Sequence, residues 1–133
     1  MTCTRSRGLT ALVGLALVAA CSSGGGGSAT TRSVTATGPS SDQQAALDMT
    51  DSLAFEPSEV RASVGTLTLV IDNVGRVPHN LTFADEALGK TDTVQGGKQA
   101  SLTVALAKAG TYRFTCTFHS GMDGKVVVTE KRP

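Results

Sequence analysis

Tyr112-Arg113-Phe114-Thr115-Cys116-Thr117-Phe118-His119-Ser120-Gly121-Met122 decides the reading of this chain. Its first part alternates, with Tyr112, Phe114 and Cys116 on one face and Arg113 and Thr115 on the other. That period of two predicts a half-buried strand. Its second part breaks the alternation and contains Gly121, which permits a tight turn. The stretch therefore predicts a strand that ends on Cys116, then a short loop from which His119 and Met122 fold back toward the sulfur. A thiolate, an imidazole and a thioether stand within seven residues.

The same period recurs on either side. Leu67, Leu69 and Ile71 alternate with Thr66 and Thr68; Leu81 and Phe83 with Asn80 and Thr82; Leu102, Val104 and Leu106 with Ser101, Thr103 and Ala105. Val126 to Val128 is a β-branched run. Turn signals separate these runs at Val64-Gly65, Asp72-Asn73-Val74-Gly75, Gly96-Gly97, Ala109-Gly110 and Asp123-Gly124. The pattern predicts an all-β fold, an antiparallel sandwich or barrel of short strands. A short helix is expected near Ser41 to Asp48, and a loop over Asp85 to Val94. No internal repeat is present.

The N-terminus reads as a targeting signal. Arg5 and Arg7 precede an apolar run from Leu9 to Ala20, too short for a bilayer span, which needs about 20 residues. The run ends Val18-Ala19-Ala20-Cys21 and resembles a bacterial lipobox, in which the cysteine is lipidated and becomes the first mature residue. An ordinary signal peptide cut near Ala20 is the alternative. The arginines are not adjacent, so export unfolded through the general secretory route is expected, with metal loaded outside. Residues 1–20 are then a lipoprotein signal. Residues 21–45 are lipidated Cys21 plus a Gly/Ser/Thr-rich flexible linker, too poor in apolar residues to offset its ordering entropy. Such a linker has an r.m.s. reach of about 25–30 Å. Residues 46–133 are expected to form one small domain.

Over 46–133, nine Lys and Arg face ten Asp and Glu, and no basic block argues for nucleic acid. With Cys3 lost and Cys21 lipidated, Cys116 is a lone thiol with no disulfide partner. Exported proteins usually pair their cysteines or lack them, and metal ligation accounts for the exception.

The chain's other histidine, His79, lies upstream in Val77-Pro78-His79-Asn80. Taken singly, His79 reads as a turn residue, Cys116 as a small buried hydrophobe and Met122 as core or ligand alike. Together, two imidazoles, one thiolate and a weak thioether are the donors of a blue-copper site. Zinc binding and a cysteine nucleophile activated by a histidine fit less well. A thioether is a poor zinc ligand, and it has no role beside a nucleophile.

With those residues quoted, the domain resembles the cupredoxins, the amicyanin- and plastocyanin-like ones above all. Cys116, His119 and Met122 carry two residues between each pair, as amicyanin-like proteins do. Val77-Pro78-His79-Asn80 is similar to the amicyanin first-histidine segment, and Gly124-Lys125-Val126-Val127-Val128 to its closing strand. Phe55-Glu56-Pro57, Val60 and Gly65 are similar to the start of many cupredoxins. The resemblance covers residues 50 to 129 and implies a Greek-key β-sandwich with one type 1 copper per chain. It implies His79, Cys116 and His119 as strong equatorial ligands and Met122 as the weak axial one. It implies that Asn80 steadies the ligand loops, and that His119 is the electron port, ringed by Phe118 and Pro78. Phe118 stands where the family commonly has proline, and the chain has no tryptophan.

The function implied is that of a blue-copper electron-transfer protein tethered to a bacterial membrane through Cys21. It is exported and faces the cell exterior or periplasm, is monomeric, cycles between Cu(II) and Cu(I) and passes electrons between redox partner proteins. It is not an enzyme and binds no nucleic acid. The alternative is a copper-binding or copper-delivery protein that holds copper without cycling.

Overall fold

The computed structural model describes residues 32–131. The expected signal segment and Cys21 lie outside them. Among the described residues nine strands follow in order: β1 (Ser33–Thr35), β2 (Gln43–Met49), β3 (Phe55–Glu56), β4 (Glu59–Ser63), β5 (Gly65–Asn73), β6 (Thr82–Phe83), β7 (Gln99–Leu106), β8 (Gly110–Thr115) and β9 (Asp123–Thr129). One sheet has the order β1-β4-β9-β8-β6, the other β3-β2-β5-β7. The Asp85–Val94 stretch is loop apart from one 3₁₀ turn, Glu86–Leu88, capped by the Asp85 carboxylate accepting from Ala87 N–H at 3.0 Å. Among the described residues no helix is long and apolar enough to cross a membrane.

The expected alternation places the core. Leu67, Leu69 and Ile71 of β5 are fully buried, as are Val126 of β9 and Leu47 and Met49 of β2. Phe114 of β8 meets Phe55 and Phe83 edge-on, at centroid distances of 5.0 and 5.6 Å. A side chain on Gly124 would run into the Phe114 ring, so glycine lets this aromatic cluster close over β9. Burying each large apolar side chain contributes about 1.5–3 kcal/mol. A surface ion pair contributes about 0–1 kcal/mol. The core therefore outweighs the pairing of Glu59 with Arg61 (2.9 Å) and Lys125 (3.2 Å).

Three expectations change. The sheets are mixed rather than antiparallel: β1–β4, β4–β9 and β2–β5 are parallel pairs. Turn signals reveal hairpin neighbours such as β8–β9, but strands far apart in sequence carry no local mark of their relative direction. The stretch near Ser41 to Asp48 is β2, not a helix, because pairing with β5 over seven residues overrides the helix propensity of Ala45-Ala46-Leu47. The flexible linker does not extend to residue 45. β1 pairs with β4, Thr37 bridges Gln44, and β2 begins at Gln43, so the folded unit includes 33–45 as well as 46–131.

Gln43 explains why this start was hidden. It occupies an inward position, where an apolar residue is expected, yet it is buried and satisfied. Its amide nitrogen donates to the Ser63 carbonyl at 2.9 Å, and its amide oxygen accepts from Ser63 N–H at 2.8 Å. A fragment beginning at Ala46 lacks this clamp and β1, and each orphaned buried backbone group costs about 1–3 kcal/mol. Urea unfolding of fragments 32–133 and 46–133 should show the shorter one destabilised by more than about 3 kcal/mol; equal midpoints would restore the linker boundary at 45.

Candidate metal centre

The loops at one end of the sandwich bring His79, Cys116 and His119 together. Cys116 follows β8, and its N–H donates to the Met122 carbonyl at 2.9 Å. The Thr115 hydroxyl donates to the same carbonyl at 3.1 Å. Met122 N–H reaches back to the His119 carbonyl at 3.4 Å. These bonds close residues 116–122 into a compact loop, turned at Gly121, whose φ is +80°. The Met122 side chain is fully buried at this end.

His79 comes from a separate segment. Its backbone bridges Val94 in both directions, at 3.1 and 2.8 Å. The preceding loop is held by two side chains that sequence reading missed. Buried Asn73 donates to the Val77 and Val94 carbonyls, both at 2.8 Å, and accepts from Gly75 N–H at 3.1 Å. Asp51 accepts from Arg76 N–H at 2.7 Å and Val77 N–H at 3.1 Å. The hydrogen bond from Arg76, then that from Val77, holds the Asp51 carboxyl below its ordinary pKa. Asn73 was legible only as a turn residue, and nothing around Asp51 marked it. Asn80 ties the two loops together: its amide donates to the Thr117 hydroxyl and accepts from Thr117 N–H, both at 2.8 Å.

The donor atoms converge. Cys116 Sγ lies 3.8 Å from His79 Nδ1 and 3.5 Å from His119 Nδ1, and the three ligand atoms fall within 4.8 Å of one another. Bonds of about 2.0 Å to imidazole and about 2.3 Å to thiolate in a trigonal plane set nitrogen and sulfur about 3.7 Å apart. The spacing thus fits one metal ion held by both nitrogens and the sulfur. Cys116 is a free, buried thiol. His79 is fully buried, His119 half-buried. Their rings stand 4.8 Å apart at 62°. Phe118 is 49% exposed, with its ring edge-on to His119 at 6.4 Å, and Pro78 is exposed.

Burial lowers the His79 pKa, and repulsion from His119 lowers it further. The Thr50 backbone and Asp51 oppose that shift. The His79 Nε2 atom is buried without a hydrogen-bond partner. Neutral imidazole is the form that ligates metal. The cluster of His79, Cys116, His119 and Met122 suits a type 1 copper, with soft sulfur donors for Cu(I) and imidazoles for both states.

A family model described as "Cupredoxin-like domain" matches residues 9–128. Amicyanin of Paracoccus denitrificans is 33% identical over 105 residues, covering 70% of this chain and 78% of the relative. Chloroplast plastocyanin of Physcomitrium patens is 31% identical over 85 residues, covering 58% of this chain. The chain spans about half the length of such chloroplast plastocyanins, 50% in that case. Two solved structures share the fold. The metal-binding domain of the Cu(I)-exporting P-type ATPase of Streptococcus pneumoniae has a TM-score of 0.62 at 13% identity and covers 75% of this chain and 98% of its own. Auracyanin A of Chloroflexus aurantiacus, a "blue" copper protein, has a TM-score of 0.59 at 19% identity and covers 66% and 99%.

The lowered pKa of His79 sets a pH dependence for the metal-free protein. The unfolded state takes up a proton near pH 6.5, the folded state only at lower pH. The associated stability is present above about pH 6.5 and lost as pH falls through the folded value. Melting of the metal-free domain from pH 8 to pH 5 should show a falling midpoint, and His79→Gln should flatten that fall; parallel curves would reject the assignment.

Proposed function

The chain belongs to the cupredoxin-like family, and on that premise we propose that it is a type 1 copper electron carrier tethered to a membrane outside the cytoplasm. The observation that carries this reading is the placement of one buried sulfur between two imidazole Nδ1 atoms, at 3.8 and 3.5 Å. When bound, copper supplies a one-electron couple between Cu(II) and Cu(I). His79, Cys116 and His119 are the residues that hold it, with Met122 as the weak donor that tunes its potential.

The surrounding residues keep that donor set fixed. Asn80 locks the loop of His79 to the loop of Cys116 and His119, and Asn73 and Asp51 lock the segment in front of His79. Side chains that cannot move between oxidation states leave little to rearrange during transfer. His119 is the half-buried ligand beside exposed Phe118 and Pro78, so the electron passes at that edge. In this reading the chain makes and breaks no covalent bonds, so it is a carrier and not an enzyme. It works as a monomer between a donor and an acceptor protein and binds no nucleic acid. Cys21 carries the lipid that anchors it to a bacterial membrane, on the side facing the exterior or periplasm.

Copper(II) titration of residues 32–133 should produce an intense visible thiolate-to-copper band, bleached by reductant and restored by oxidant. Cys116→Ala should abolish it. Met122→Leu should keep the colour and shift the potential. Copper bound without such a band would favour the alternative, a delivery protein that does not cycle. Asn80→Ala should cost about 1–3 kcal/mol by orphaning Thr117 N–H; an unchanged melting midpoint would remove Asn80 from the frame.

A further inference from the structure

β1 fixes where the folded unit joins the rest of the chain. β9 begins one residue after Met122 and runs away from the metal end. β4 runs parallel to it, with Glu59 opposite Lys125, and β1 runs parallel to β4, with Ser33 opposite Glu59. Glu59 N–H donates to the Arg32 carbonyl at 3.3 Å. Arg32 also lines one surface groove with Leu53, Gly121 and Asp123. The chain therefore enters the fold at the metal end. Without β1 it would enter at the start of β2, at the opposite end, where Gln43 clamps Ser63. Seven residues of strand separate those ends, about 23 Å.

The same end carries the exposed apolar surface. Leu53, Val74, Val77 and Phe118 are the exposed large hydrophobics among the described residues, and all four stand in its loops. Exposed apolar side chains that share one end of a fold offer a partner a docking surface.

We propose that the tether leaving Arg32 holds the copper end toward the anchoring membrane, and that these exposed apolar side chains dock on a redox protein embedded in that same membrane. The inference rests on the reading of Cys21 as lipidated. Ten residues, 22–31, separate Cys21 from Arg32. Ten residues can span at most about 35 Å. A domain of this size has a radius of gyration of about 13 Å, so even a fully stretched tether is only about as long as the domain. The end that bears the attachment stays nearest the lipid on average. A partner in the same membrane meets the copper end at a raised effective concentration, while a soluble partner gains nothing from the anchor.

The test uses the full lipidated, copper-loaded chain in vesicles of phosphatidylethanolamine and phosphatidylglycerol carrying a headgroup acceptor dye. Donor fluorophores go on V74C, at the copper end, or on K108C, in the turn before β8 at the far end. Cys116 is buried and copper-ligated, so it stays unlabelled. The donor at 74 should transfer energy at least twofold more efficiently than the donor at 108, and thirty Gly/Ser residues inserted after Thr31 should shrink the difference. Equal or reversed efficiencies in a membrane-bound chain overturn this inference and leave the anchor standing. A mature chain that lacks the diacylglyceryl mass on Cys21 overturns the anchored reading, and this inference with it. Membranes from the source cells should reoxidise the reduced lipidated chain at least tenfold faster than the soluble extract; the reverse order overturns the membrane partner.

Discussion

Three lone-pair donors, Cys116 Sγ and the Nδ1 atoms of His79 and His119, converge on one place, carried by two buried residues and one half-buried one. Left alone, such groups would turn toward water or toward separate hydrogen-bond partners. Everything around them works against that. The Cys116 backbone is tied to Met122, His79 is bridged to Val94, and Asn80 couples the two ligand loops. The lowered pKa of His79 is the electrostatic trace of the same arrangement, since burial and then the neighbouring imidazole disfavour its protonated form. A donor set held this way is placed to take up one metal ion with little rearrangement.

The sandwich makes this constraint affordable. β8 and β9 are adjacent antiparallel strands, so the loop between them, which carries His119 and Met122, is short and fixed at both ends. Phe114, two residues before Cys116, is wedged between Phe55 and Phe83 and sets the height at which β8 leaves the core. His79 enters just ahead of β6, the neighbour of β8, which brings it beside Cys116 across the sheet. The half-buried edge of His119 and the entry of the chain at Arg32 then share one end of the molecule, a consequence of the parallel run of β1, β4 and β9.

Much of this was legible in the sequence. The alternation of Tyr112, Phe114 and Cys116 announced β8, that of Leu67, Leu69 and Ile71 announced β5, and the spacing of Cys116, His119 and Met122 announced the ligand loop. What stayed hidden had a physical cause in each case. β1 has three residues, too few to display a period. β2 places Gln43 where an apolar residue belongs, and its polarity is answered by a backbone segment twenty residues away. Asp51 supports the His79 loop from across a chain separation of 25 residues, through backbone N–H groups that leave no side-chain signature on the partner.

The sequence by itself determined the donor types, their order and the all-β period, because these depend on residue chemistry and on spacing within a strand or a turn. Only the tertiary structure decided the mixed strand directions, the inclusion of residues 33–45 in the fold, the clamps from Asn73 and Asp51, and the entry of the chain at the metal end. These depend on pairings across the fold, and a backbone group that pairs with another backbone or with a side chain carries no mark of that partner in its own residue type.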